Sequence, residues 1–434
     1  MTVTVVGAGL AGCEAAYQLA RRGIDVRLVE MKPRKKTQAH VSDDFAELVC
    51  SNSFRGDELT NAVGLLKEEM RRLDSLILSC AEEERLPAGG ALAVDREGFA
   101  ALVTKRICET PGIEVISGEV AEIPDGQVIF ATGPLTSDAL AARFQELFPD
   151  RKFLSFFDAA APIVTRESID FDSAFFASRY DKGTADYINC PLDREKYLAF
   201  WTELKSAEEA AVHGFDDGGV FEGCMPIEVI ARRGEDAMRF GPLKPVGLID
   251  PRSGREHYAV VQLRRDNAEG TLYNLVGFQT HLKFGEQKRV FSLIPALRRA
   301  EFVRFGVMHR NTYLDSPKLL DRYYRLKSDA RIAFAGQLTG VEGYVESAAS
   351  GLLAGIEKAR ELRGMAHIDF PAETAIGALA RYISGGAAGA FQPMNVNFGI
   401  IPPLSERIRG KRERYTKISG RALGIIDELR EGGI

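Results

Sequence analysis

The sequence lacks any run of 18 or more apolar residues, so no membrane span is predicted. It opens on "TVTVVGAG" with no basic stretch ahead of an apolar core and no cleavage site, so no secretory signal is expected. Cysteine is sparse: six residues, at 13, 50, 80, 108, 190 and 224, all singletons. No C-x-x-C occurs and no His/Cys spacing suits zinc, which speaks against a dithiol redox motif and a metal site. A reducing cytoplasmic location without a disulfide scaffold is the expectation. Tryptophan occurs once, and Trp201 with its aromatic neighbours reads as core. There is no internal repeat, low-complexity stretch or long linker. A net charge of −5 argues mildly against a nucleic-acid partner, but residues 406–421 carry seven basic and two acidic side chains.

What the sequence has is glycine in a particular place. Val3, Val5 and Val6 form a short β-branched run that predicts a buried parallel strand. Gly7, Gly9 and Gly12 follow as G-x-G-x-x-G, flanked by Ala8 and Leu10. The first glycine permits a tight turn, the second lets backbone approach a pyrophosphate, and the third lets helix and strand pack closely. A helix over about residues 10–22 points its N-terminal N–H groups at that phosphate. "DVRLVE" predicts the second strand, ending at Glu30 and Met31, with Glu30 placed to bond a ribose hydroxyl and to disfavour a 2′-phosphate. A fingerprint with the strand before, the helix after and the acid at the right distance is a dinucleotide site.

Two later stretches favour FAD over NAD. "QVIFATGP" predicts a strand ending at Ala131, Thr132 and Gly133, similar to the ATG stretch of flavoproteins with two dinucleotide domains. "RIAFAGQLTGVEGYVESAASGLLAG" predicts a strand, a turn through Gly336, Gln337, Gly340 and Gly343, and a small-residue helix. Such flavoproteins bring a helix N-terminus to the flavin there. Many have an Asp after the glycine where this chain has Gln337, which points to a narrower family. "ISGGAAGAF" follows no clear strand and is not a second fingerprint, so a nicotinamide cosubstrate would visit and leave. The fold class expected is α/β. It comprises a glutathione-reductase-like, Rossmann-type FAD-binding domain over 1–150 and 328–434. An inserted α+β substrate domain occupies 151–327, with strand candidates in "FLSFFDAAAPIV", "HYAVVQL" and "TLYNLVGFQ".

Cys50 closes an apolar run in "ELVCSNSFRG" and opens onto Ser51, Asn52, Ser53 and Arg55. Cys224 sits in a turn between Gly223 and Met225-Pro226, near Glu222, Glu228, Arg232 and Arg233. Each thiol is open to two readings: a small buried hydrophobe, or a reactive group in a polar, cationic setting. Cys13, Cys80, Cys108 and Cys190 have no such setting and read as structural.

Together "ELVCSNSFRG", "FEGCMPIEVIARRG", "RFGPLKPVGL", "FGVMHRNTYLDSP", "AGQLTGVEGYVESAASGLLAG" and "MNVNFGIIPPL" resemble the folate- and FAD-dependent tRNA (uracil-5-)-methyltransferases, the TrmFO family. The resemblance covers the whole chain. The related GidA/MnmG wobble-uridine modifiers share the flavin domain and a "GQ…G…GY" stretch, but are longer, with a helical C-terminal domain. The resemblance implies a reaction: the methylene of 5,10-methylenetetrahydrofolate goes to C5 of uridine 54 in the tRNA T loop. Reduced FAD supplies electrons, and NAD(P)H re-reduces the flavin.

That chemistry has uses for two thiols. A thiolate adding at uracil C6 creates an enolate whose C5 attacks the one-carbon unit. A donor must steady the enolate oxygen, and a base must remove the C5 proton. By matched position, Cys224 is the expected uracil nucleophile and Cys50 the thiol against the isoalloxazine. The resemblance also implies that Asn52 bonds flavin, folate or backbone, and that Arg55 meets an anion. His309, Arg310 and Asn311, with Tyr313, are candidate substrate or flavin contacts. Phosphate contacts are expected from Arg409, Lys411, Arg412 and Arg414, with "KPRKK" (32–36) a second candidate and residues 231–233 and 298–299 weaker ones. The alternative is a flavin-dependent NAD(P)H oxidoreductase acting on a small molecule.

Overall fold

The computed structural model describes residues 2–37, 39–148, 154–181, 184–210, 225–386 and 391–434; for residues 154–159, 181, 308–311 and 386 it describes the backbone only. The first strand, β1 (Thr2–Val6), leads through the glycine turn into α1 (Leu10–Ala20) and then β2 (Asp25–Glu30). β1 pairs in parallel with β2 on one side and with Gln127–Phe130 on the other. The six-stranded sheet runs Arg325–Leu326, Asp329–Phe334, Gln127–Phe130, β1, β2, Ile113–Ser117, and only its first pair is antiparallel. Val3 and Val5 are fully buried on one face and Val6 is buried on the other, as a strand covered on both faces requires. The Phe130, Phe144 and Phe334 rings lock one face, with Phe130 and Phe144 edge-on at 4.9 Å.

The Tyr344–Leu362 helix covers the sheet beside α1. A Cβ built on Gly351 would lie 2.1 Å from the Ala11 carbonyl oxygen, and one on Gly355 would lie 2.8 Å from that of Ala15. Two glycines one turn apart thus let the helix backbones touch.

A second core gathers around an antiparallel sheet ordered Phe175–Ala177, Tyr187–Leu192, Ala259–Arg265, Leu272–Leu275, Ile163–Thr165, Phe302–Arg304. The strands read from "HYAVVQL" and "TLYNLVGFQ" form here. "FLSFFDAAAPIV" divides between two sheets: Leu154–Ala159 pairs with Met308–Tyr313, and Ile163–Thr165 joins the second core. A three-stranded sheet of Ser53–Gly56, Ala91–Val94 and Arg85–Leu86 adds Phe54, Leu92 and Val94 to the first core. Trp201 is only partly buried; its indole N–H donates to the Ala231 carbonyl at 2.8 Å, and Lys205 covers its ring. Among the described residues no helix is long and apolar enough to cross a membrane, and no metal-binding group of His, Cys, Asp or Glu assembles.

Candidate functional site

A cleft opens where the C-terminal ends of the parallel strands meet the N-termini of α1 and the Tyr344–Leu362 helix. It is lined by Gly7 to Ala11, Glu30 to Lys32, Val49, Ala131 to Ser137, Gly336, Gln337, Tyr344 and Ser347. The three fingerprint glycines do different things. Gly7 has φ +97°, and a Cβ there would lie 2.6 Å from the Ala131 carbonyl oxygen. A Cβ on Gly12 would sit 1.8 Å from the Gly7 oxygen. Around Gly9 nothing lies within 4 Å, so the loop offers bare backbone to the cleft. The first N–H groups of α1 have no intrahelical acceptors, and the dipole adds positive character there. This cradle fits a pyrophosphate.

Glu30 closes the loop from the neighbouring strand. Its carboxylate accepts the Ala8 N–H at 2.7 Å and the Lys32 N–H at 3.0 Å. Each oxygen keeps a lone pair, so bonding a ribose hydroxyl is compatible with these contacts. Across the cleft, Ala131 follows its strand directly, and the Thr132 hydroxyl meets that of Thr136 at 2.6 Å. Gly133, Gly336, Gly340 and Gly343 all have positive φ, as the turns read from sequence require. Gly336 N–H donates to the Ser350 hydroxyl at 2.6 Å, and Gln337 donates to Glu342 at 2.6 Å. A Cβ on Gly340 would meet the Phe391 ring. Leu10, Met31, Ala131 to Gly133, Gly336 and Gln337 line the same cleft, while Gly340 and Gly343 shape the turn that follows Gln337 and do not line it.

Cys50 reaches this cleft through Tyr344. The buried Tyr344 hydroxyl accepts the Cys50 N–H at 2.8 Å and the Ser51 N–H at 3.1 Å. Burial pushes the Tyr344 phenol up, so it stays neutral at working pH. Three arginines from three distant elements converge on the same segment. Arg96 bonds the Leu48 carbonyl and forms an ion pair with Asp266 at 2.9 Å. Burial opposes the Arg96 charge, but Asp266 outweighs it and raises the guanidinium above its ordinary value. Arg264 donates to Asn52 at 3.0 Å and Ser51 at 2.7 Å, and Arg304 donates to the Val49 carbonyl at 2.7 Å. Burial lowers both of these guanidiniums, and the charge of Arg96 lowers them further. An arginine does not give up its proton under such pressure. The Cys50 segment therefore sits in an excess of positive charge.

Two of the expected contacts find partners inside the chain, the backbone alternative for Asn52 and a carboxylate for Arg55. Asn52 is fully buried, and its amide donates to the Val94 and Arg265 carbonyls at 2.9 and 3.0 Å while its oxygen takes Arg264. It joins the two cores and presents nothing to a ligand. Arg55, at φ +63°, is engaged by the fully buried Glu346 carboxylate, an anion supplied by the chain itself. "KPRKK" is also largely spent. Lys32 is buried beside Glu47, Lys35 pairs with Glu119 at 2.8 Å and Lys36 with Asp43 at 2.7 Å.

The basic tail is different. Arg409, Lys411, Arg412 and Arg414 are all exposed, and none enters an ion pair among the described residues. Lys411 opens the Lys411–Glu431 helix, and Tyr415 on it stacks on Phe398 at 4.0 Å. His309, Arg310 and Asn311 lie on the Met308–Tyr313 strand, whose Thr312 N–H reaches the Pro134 carbonyl at 3.1 Å beside the cleft. Cys224 lies outside the described residues. Cys13 is buried with its thiol on the Ala8 carbonyl, burial pushes Cys80 up to about 12, and Cys190 is also buried; Cys108 is exposed.

Sequence reasoning missed Tyr344, Arg96, Arg264 and Arg304. Tyr344 carried a signal, since it follows Gly343 at the start of a helix. The arginines carried none, because they come together only in the fold.

The chain matches the family model described as glucose inhibited division protein A over residues 2–366. Its fold is similar to that of Aquifex aeolicus GidA, with a TM-score of 0.71 at 15% identity, covering 99% of this chain and 73% of that one. It is 60% identical over 427 residues to a methylenetetrahydrofolate–tRNA-(uracil-5-)-methyltransferase TrmFO of Acetivibrio thermocellus, covering 98% of each chain. It is 58% identical to the protein of the same name from Desulfitobacterium hafniense, over 99% of this chain and 98% of that one. Likeness at this level from end to end, with the glycine cradle and the Cys50 segment on one cleft, shows that the chain belongs to the TrmFO family within the wider GidA group.

Proposed function

We propose that this chain methylates C5 of a uridine in tRNA, uridine 54 of the T loop, with 5,10-methylenetetrahydrofolate as one-carbon donor. The observation that carries this reading is the joining of Cys50 to the nucleotide cleft through Tyr344. The names of the relatives supply the substrate class.

Gly7 to Leu10, Gly12, Glu30, Met31, Ala131 to Gly133, Gly336 and Gln337 would hold FAD, with Gly340 and Gly343 shaping the turn after Gln337. When bound, and kept reduced by NAD(P)H, FAD supplies the electrons that turn the transferred methylene into a methyl group. The chain's residues do the rest. The α1 N-terminus binds phosphate. The Tyr344–Leu362 helix presents its N-terminal dipole to the opposite end of the cleft. Cys224 adds to uracil C6, which makes C5 nucleophilic. Cys50 stands on the flavin side, with Arg96, Arg264 and Arg304 keeping positive charge around it. Arg409, Lys411, Arg412 and Arg414 hold tRNA phosphates, and the target base is extruded to reach the cleft. A discontinuous flavin domain with an inserted substrate domain, read as 1–150 and 328–434 around 151–327, is supported by the two separate cores, although the first core already takes in Leu314, Leu320, Tyr324 and Leu326. The reaction is placed in the cytoplasm.

The test follows the carbon. Yellow protein is incubated anaerobically with NADPH, unmodified tRNA transcript and methylene-labelled folate, beside Cys224→Ala and Cys50→Ala forms. Label recovered as 5-methyluridine from wild type and absent from Cys224→Ala is expected. No label from folded, flavin-loaded wild type would overturn the reading in favour of a small-molecule oxidoreductase.

A further inference from the structure

A line of five phenylalanine rings runs from solvent into the second core. Phe284 stacks on Phe305 at 4.8 Å and 14°, and Phe305 stacks on Phe302 at 5.3 Å and 13°. Phe302 then meets Phe291 at 6.4 Å, and Phe291 meets Phe278 edge-on at 76°. The inner two rings are fully buried and behave as core aromatics do. The outer three are near-parallel, and Phe284 at the end is 54% exposed. Near-parallel, offset rings with an open outer face reproduce the arrangement of stacked bases.

Three cations stand on the elements that carry the stack, beside Glu286, which is paired with Arg289, and the exposed Glu301. Lys288 lies one helical turn after Phe284 on the Phe284–Phe291 helix, on the same face. Arg298 and Arg299 lie on the connection from that helix to Phe302–Arg304, the strand that leads into Phe305. All three are exposed, and none enters an ion pair among the described residues. The stack is also tied to the cleft, because Arg304, immediately before Phe305, donates to the Val49 carbonyl next to Cys50.

The geometry points to Phe284 as a stacking platform for an unpaired nucleobase of the RNA substrate, with Lys288, Arg298 and Arg299 meeting the adjoining phosphates. This rests on the functional reading above. Stacking on an aromatic face tolerates any base, so the platform would hold a nucleotide displaced when the target uridine leaves its loop. It adds affinity without adding charge.

The test uses the full, flavin-loaded chain with Phe284→Ala, Phe284→Leu and Phe284→Trp, and unmodified tRNA transcript as probe, with Kd measured across a salt series. Phe284→Ala is expected to weaken binding on the order of five- to a hundredfold with the salt slope unchanged. Phe284→Trp restores affinity, and Phe284→Leu, which keeps apolar bulk without a π-face, does not. If Phe284→Ala fails to fold, the Leu and Trp forms carry the comparison. Wild-type affinity in the Ala or Leu form overturns the platform while leaving the functional reading standing. A wild type that binds no tRNA takes both down.

Discussion

The Tyr344 hydroxyl lies 2.8 Å from the backbone nitrogen of Cys50, a residue 294 positions away in sequence. One phenol oxygen accepts two consecutive N–H groups and fixes the cysteine segment to the first residue of a helix that lines the cleft. Tyr344→Phe keeps the ring and removes the acceptor. Each orphaned donor costs about 1–3 kcal/mol where water does not reach it. Urea unfolding is expected to show that loss, with faster alkylation of Cys50. Wild-type values of both would mean that the hydroxyl does not hold the segment.

Gly9 and Gly12 separate binding from folding. Gly9→Ala meets nothing in the protein and costs at most about 1 kcal/mol as a weaker helix cap, yet its methyl enters the space assigned to pyrophosphate. Flavin content is expected to fall at least about tenfold while the apoprotein keeps its Tm nearly unchanged, by the same argument of close backbone approach. Gly12→Ala collides with the Gly7 carbonyl, and its apoprotein melts lower. Full flavin in Gly9→Ala would refute the cradle.

His40 borders the cleft, and its Nδ1 meets the Thr37 hydroxyl at 2.6 Å. Burial, reinforced by the charge of Lys32, lowers its pKa below 6.5. As pH falls through 6.5 the unfolded chain takes up this proton before the folded one, so stability drops and then levels off below the folded-state value. His40→Gln is expected to flatten that decline in urea unfolding between about pH 7.5 and 5. Parallel curves for the two proteins would remove His40 as its source.

Replacing Arg409, Lys411, Arg412 and Arg414 together with serine is expected to weaken tRNA binding and shrink the log–log salt slope by up to about 3. Flavin absorbance stays. An unchanged slope would place the phosphate contacts elsewhere.

The local parts of this fold were legible because their signals are local. The glycine spacing, the valine run and Glu30 lie within thirty residues, and the turn chemistry of Gly336 to Gly343 within eight. The partners of Arg55 and Asn52 were not legible, for the opposite reason. Their partners, Glu346 and Arg264, come from the far side of the sequence, and only the fold shows that both side chains are already engaged. The "KPRKK" run reads as a basic patch until Glu47, Glu119 and Asp43 arrive beside it. Charge density in sequence reports cations, not free cations.

The glycine seam between α1 and the Tyr344–Leu362 helix has a consequence for what the cleft accepts. Gly351 and Gly355 press one helix backbone onto the other at Ala11 and Ala15, so the two N-termini move as the jaws of a locked caliper. The gap between the end that grips phosphate and the end that faces the ring system is then set by a contact behind the site. A methyl group added at Gly351 would reset that gauge from behind, by pushing on the backbone of Ala11 at the phosphate end of the cleft.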